Sequence, residues 1–145
     1  MLGTHHLGRV AVNDEQGPAV LPVNYVLDRG SVLFRTDEGT KLDAAVRGEP
    51  ATFEVDAIDE VRRRGWSVVV RGRAEEVVDP GELARVRELP LEPFAPGHRA
   101  HYVRVTPGAV SGRRIAVPRS LPPDWFRAAD LGTVWLGVDG DDLGL

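Results

Sequence analysis

Short apolar runs, each closed by a polar or glycine-containing turn, cover most of this chain. GRVAV at residues 8–12 predicts a first strand, ended by the turn NDEQGP. AVLPVNYVL at 19–27 predicts a second, interrupted at Pro22. A proline cannot donate to a sheet ladder, so Pro22 marks an edge or a bulge. Asp28-Arg29-Gly30-Ser31 has the residue types of a tight hairpin turn into a third strand at 32–36. At 42–47 (LDAAVR) the apolar spacing becomes helical, with Leu42, Ala45 and Val46 on one side and Gly48 suited to stop it.

The alternation resumes at 51–58 (ATFEVDAI), where Phe53 and Val55 share a face, and again at 66–78 (WSVVVRGRAEEVV), where Gly72 predicts a bulge or bend. Asp79 reads as the cap of a second helix, with Pro80 at its first position and Leu83, Val86 and Leu89 as its apolar stripe. After a proline-rich loop, 101–106 and 109–116 predict the last strands. Strands this frequent with only two short helices predict a mainly β fold, a closed or nearly closed antiparallel barrel that leaves few edges exposed. From residue 118 the chain turns rich in Pro, Gly and Asp. The expected organisation is one domain over 1–117 and an extension over 118–145, docked in part through Trp125, Phe126 and Trp135.

Composition narrows the function. With 145 residues, 42% apolar and 28% charged, the chain suits one globular domain with a real core. A formal net charge of −4 argues against a general nucleic-acid binder, and Arg62-Arg63-Arg64, the one basic run, reads as a solvated turn. The absence of cysteine excludes disulfides, thiolate metal sites and a Cys nucleophile. No apolar run approaches the roughly 18 residues of a membrane span, and the N-terminus lacks a signal-peptide pattern, so a cytoplasmic location is expected.

Standard catalytic signatures are missing: no glycine-rich nucleotide loop, nucleophile elbow or zinc-protease motif occurs. His98 and His101 have a metal-compatible spacing without an evident third ligand, and His5 and His6 would point apart in an extended chain. Asp139, Asp141 and Asp142 lack the Glu that would complete a calcium loop. Ser67, Thr36 and Thr40 have no adjacent base to activate them. No catalytic side chain is therefore expected, and any chemistry must come from a cofactor.

One stretch does suggest a ligand. FRTDEGTK, residues 34–41, joins the third strand to the first helix. Arg35 and Lys41 bracket a turn whose Thr36 and Thr40 hydroxyls and backbone N–H groups suit one phosphate. The plainer alternative is that Thr36 or Asp37 caps the helix while Arg35 and Lys41 pair with Asp37 and Glu38.

A longer pattern favours the anion site. HLGRVAV, then AVLPVNYVLDRGSVLFRTDEGTKLDAAVRGEPATFEVD, then GWSVVVRGRAEEV resembles the pyridoxamine 5′-phosphate oxidase-like family of FMN-binding split-barrel proteins, in particular its small nitroimidazole-resistance-reductase-like members. The likeness covers about residues 5–116 and lies in the order of PVNY, F-R-T-x-x-G-T-K and G-W-S-V-V-V-x-G. It implies a six-stranded antiparallel split β-barrel with short helices, a homodimer and FMN at the subunit interface. By the same resemblance Arg35, Thr36, Thr40 and Lys41 grip the FMN phosphate. Pro22, Val23 and Asn24 run beside the ring, and Trp66 and Ser67 reach it. The large aromatics Trp66, Phe94, Tyr102 and Trp125 fit a face covered by a second subunit.

Two departures matter. The family begins with a helix before the first strand, and this chain starts almost at that strand. Its C-terminal PPDWF and GTVWLG lack the Arg/Trp motif with which the oxidase proper holds its substrate, so vitamin B6 oxidation is not expected. The resemblance implies an FMN-dependent oxidoreductase that takes electrons from NAD(P)H and reduces a small nitroaromatic or quinone. The alternatives are a deazaflavin-dependent reductase, or a non-catalytic flavin- or haem-binding module with His98 or His101 on iron.

Overall fold

The computed structural model describes residues 3, 5–91 and 100–116, and for Thr40, Lys41, Val46, Ile115 and Ala116 the backbone alone. Six antiparallel strands and two short helices follow one another as β1 (Leu7–Asp14), β2 (Gly17–Asp28), β3 (Ser31–Thr36), α1 (Thr40–Val46), β4 (Pro50–Asp59), β5 (Arg64–Glu76), α2 (Pro80–Val86) and β6 (His101–Ala116). The sheet closes as a barrel in the order β1-β2-β3-β6-β5-β4. The mainly β barrel predicted from the alternation is what forms, with the six strands that the resemblance implied. The expected extension over 118–145 lies outside the described residues.

One compact unit comprises residues 1–55 and 68–111. Its inward positions are the apolar members of each alternating run. Val10 and Val12 on β1, Val23 and Tyr25 on β2, Phe34 on β3, Phe53 and Val55 on β4, Val70 on β5, and Val103 and Val105 on β6 are all buried. The Tyr25 and Phe53 rings meet edge-on with centroids 4.7 Å apart. Burial pushes the Tyr25 phenol up to about 12. The other unit comprises residues 56–67 and 112–145. Within it, Asp59 accepts from the backbone N–H and the guanidinium of Arg62, so the basic run forms a turn folded on its own carboxylate.

Two elements differ from their sequence pattern. Residues 101–116 make one strand where two were expected. Pro107 lies between the two expected runs, and the β3–β6 ladder spans only His101 to Val105 on β6. The carbonyl of Tyr102 accepts from Val77 N–H, so even-numbered β6 residues face β5 and Pro107 faces the side where β3 has ended. No ladder bond is lost. Tyr102, expected on a subunit-covering surface, is instead buried with Leu33, Val77, Val86 and Leu91, with Leu83 and Leu89 of the α2 stripe packed on that cluster.

The N-terminus of α2 is capped as predicted, Asp79 accepting from Glu82 N–H at 2.9 Å. A polar network joins α2 to the sheet. Arg85 donates to both Asp28 oxygens and to Glu82, and Arg104 donates to Asp28 at 3.2 Å and Glu82 at 3.0 Å. Asp28 is 5% exposed, so its charge survives burial through three guanidinium contacts, two from Arg85 and one from Arg104.

Candidate functional site at the Thr36 end of β3

β3 has 6 residues and its neighbour β2 has 12. The β2–β3 ladder runs from Asp28↔Ser31 at the hairpin to Tyr25↔Phe34, and there it stops. The hairpin is the predicted tight turn, with Arg29 (φ 49°) and Gly30 (φ 78°) both at positive φ, as a type I′ turn requires. β2 continues beyond the ladder through Asn24, Val23 and Pro22, held on its other side by β1. Tyr25 N–H donates to the carbonyl of His6, toward β1, so Pro22 and Asn24 face the side that β3 has left. Pro22 thus occupies an open backbone edge, the position its sequence predicted.

The turn that leaves β3 at Thr36 begins beside this edge. Pro22, Val23 and Asn24 on β2 and Thr36 on β3 thus lie just past the same end of the ladder, beyond Tyr25↔Phe34. Val23 is buried, Pro22 is exposed, and Asn24 donates through its side-chain amide to the carbonyl of His6 at 3.2 Å.

The helix cap is where the two readings of FRTDEGTK part. Gly39 is the N-cap of α1, at φ 131° and ψ −171°, a conformation reserved for glycine, and no side chain caps the helix. Neither Thr36 nor Asp37 does so: the Thr36 hydroxyl donates to the carbonyl of Asp37 at 3.1 Å. Gly39 gives the first turn of α1 no side-chain cap, whereas Asp79 caps that of α2. Thr40 and Lys41 are the first two residues of α1.

Arg35 and Thr36 face opposite sides of β3. Arg35 stands over the Tyr102 ring, 5.3 Å from its centroid, on the face that α2 covers. Thr36 is 3% exposed and shares the inward face with Phe34. Its hydroxyl is committed, so it offers a ligand its backbone.

Sequence reasoning passed over one pair at this end. His101 is the register partner of Thr36 across the β3–β6 ladder. Its Nδ1 lies 2.7 Å from Glu76 Oε1. The only signal in the sequence was a histidine at a strand start. His98 lies outside the described residues, as do Phe94 and Trp125. No cluster of three or more metal-ligating side chains exists among the described residues. Trp66 and Ser67, both half-buried at the start of β5, belong to the unit of residues 56–67, so the β2 and β3 registers do not include them. No helix among the described residues is long and apolar enough to cross a membrane.

With this geometry in place, relatives become informative. Residues 1–114 match the family pattern of pyridoxamine 5′-phosphate oxidase. The chain belongs to that family. The uncharacterized protein Rv0080 of Mycobacterium tuberculosis is 38% identical over 120 residues, 79% of this chain and 78% of its own. A solved FAD binding protein from Mycobacterium smegmatis is 38% identical with a TM-score of 0.65, covering 79% of this chain and 88% of that one. A Corynebacterium glutamicum structure named for pyridoxamine 5′-phosphate oxidase is 35% identical with a TM-score of 0.70, covering 81% and 86%. The family resemblance and the split-barrel fold predicted from the sequence both hold.

Proposed function

We propose that this protein is a flavin-dependent oxidoreductase that binds FMN, or the FMN half of FAD, at the Thr36 end of β3. One observation carries the reading: β2 runs on past the end of its ladder beside a turn whose helix has no side-chain cap. The residues present fit such a group. The open edge of β2 at Pro22, Val23 and Asn24 would hold the ring. The backbone of Thr36, with Thr40, Lys41 and Arg35, would hold the phosphate. When bound, a flavin would supply redox chemistry suited to hydride transfer from NAD(P)H to a small nitroaromatic or quinone. The chain's own task would be to bind, orient and shield, in keeping with a sequence that carries no nucleophile-elbow motif.

The same proposal includes a symmetric homodimer and a cytoplasmic location. Val20, 62% exposed on β2 two residues before Pro22, puts apolar surface beside the open edge, where a second subunit would cover both protein and ligand. The name of the M. smegmatis relative refers to FAD and to binding rather than to a reaction. That favours a second reading, a module that carries FAD without turnover.

Steady-state oxidation of NADH and NADPH by flavin-loaded protein, with menadione or a nitrofuran as acceptor, separates the two. Acceptor-dependent oxidation lost on removing flavin and restored on adding it back supports the oxidoreductase. A loaded protein that oxidises neither reductant overturns it in favour of the carrier.

A further inference from the structure

We infer that His101, oriented by Glu76, is an additional contact for the phosphate of the ligand at the Thr36 end of β3; this rests on the anion-binding reading above. Three observations converge. The first is register: His101 and Thr36 are Cα partners across β3 and β6, so their side chains leave the sheet on the same face. Arg35 and Tyr102 form the next pair and point the other way, where the guanidinium lies over the ring. Arg35 therefore approaches the end of β3 from one face only, and the Thr36 face needs a donor of its own, since the Thr36 hydroxyl is spent on Asp37.

The second is orientation. Glu76 Oε1 holds His101 Nδ1 at 2.7 Å, which makes Nδ1 the protonated nitrogen facing the carboxylate. Nε2 points away from it, and no partner for Nε2 exists among the described residues. The carboxylate lies on the Nδ1 side, so with the ring protonated the positive end of the pair is the Nε2–H, the end left for a ligand.

The third is access. The His101 side chain is 34% exposed and that of Glu76 21%, so the pair is neither sealed in the core nor free in solvent. A merely structural pair would serve equally well with both ring nitrogens occupied. A half-open imidazole held by a carboxylate at a strand end presents a fixed Nε2 to something arriving from outside, and that nitrogen donates when the ring carries both protons.

The test compares FMN with riboflavin, which lacks the phosphate. Fluorescence titration of His101→Ala is expected to show FMN affinity lowered about tenfold and riboflavin affinity unchanged. His101→Gln, whose amide nitrogen sits near the place of Nε2, is expected to retain most FMN affinity. Glu76→Gln, which keeps a partner for Nδ1 without the charge, is expected to fall between. Equal loss for FMN and riboflavin in His101→Ala, or no loss for either, overturns the inference. A second arm needs neither flavin nor a variant. Titration of the wild-type protein with inorganic phosphate, followed by NMR of the imidazole signals, is expected to give a saturable shift of His101 with His5 and His6 unmoved. Absence of that shift overturns the inference even where flavin binds. The shift seen in a protein that binds no flavin keeps the His101 site and rejects the flavin reading.

Discussion

Arg85 grips Asp28 with both arms of its guanidinium, Nη1 on Oδ1 at 2.8 Å and Nη2 on Oδ2 at 2.7 Å. Residue 28 ends β2 and residue 85 lies in α2, so this one fork fixes the helix over the outer face of the sheet that holds Leu33 and Tyr102. Replacing Asp28 by Asn removes a buried charge that neutralises Arg85 and Arg104. The expected cost is about 2–3 kcal/mol, measured by chemical denaturation. A loss under about 0.5 kcal/mol would place the pair among surface ion pairs.

The same network sets an acid limit. Hydrogen bonds from Arg85 hold Asp28 below its ordinary 3.8, outweighing the opposing effect of burial. Glu82 is driven from 4.5 to about 2, first by its hydrogen bond from Arg85 and then by that from Arg104. Both carboxylates have folded values below their unfolded ones. Their contribution to stability is therefore full above about pH 4.5 and is lost as pH falls toward 2. Thermal melts of the wild type should be nearly flat above about pH 5 and fall steeply below about pH 4. Asp28→Asn should show a shallower acid limb.

Close approach of two strands predicts a glycine that cannot be replaced. A Cβ at Gly72 would collide with the carbonyl of Thr106 and stand 3.3 Å from Pro107 Cα, backbone atoms that cannot rotate aside. Gly72→Ala should lower stability by about 1–3 kcal/mol. Gly81→Ala, in α2, meets only Asp79 Oδ1 at 3.2 Å and should be neutral or slightly stabilising.

The caps of the two helices predict opposite responses. Asp79→Ala removes the only side-chain cap of α2 and should cost about 1 kcal/mol. Asp37→Ala should change stability by less than about 0.3 kcal/mol, because α1 starts at Gly39 without a side-chain cap. Urea denaturation of the two variants beside the wild type checks both.

Much of this fold was legible in the sequence because alternation, turn residues and the helix start at Asp79 and Pro80 all pointed the same way. Pro22 announced an edge or a bulge because its missing N–H tolerates few environments in a sheet, and the edge is the one it occupies. Pro107 obeys the same rule, yet the pattern around it predicts two strands: nothing local says that the β3–β6 ladder stops at Val105. The burial of Tyr102 was hidden for a similar reason, since it depends on α2 folding back over β6. At the candidate site, the turn 36–41 announced itself by composition. The pairing of His101 with Glu76, 25 residues apart in sequence, depends on sheet register and carries no local signal.

The measurement that bears most directly on the central claim is a titration of purified protein with FMN, FAD and riboflavin, followed by flavin fluorescence and repeated with Arg35→Ala/Lys41→Ala. The account predicts that the wild type binds FMN or FAD more tightly than riboflavin. The double substitution should weaken the nucleotide by about 2–4 kcal/mol and leave riboflavin nearly unchanged. A protein that binds no flavin at millimolar concentration, or a double variant that holds FMN as tightly as the wild type, contradicts it.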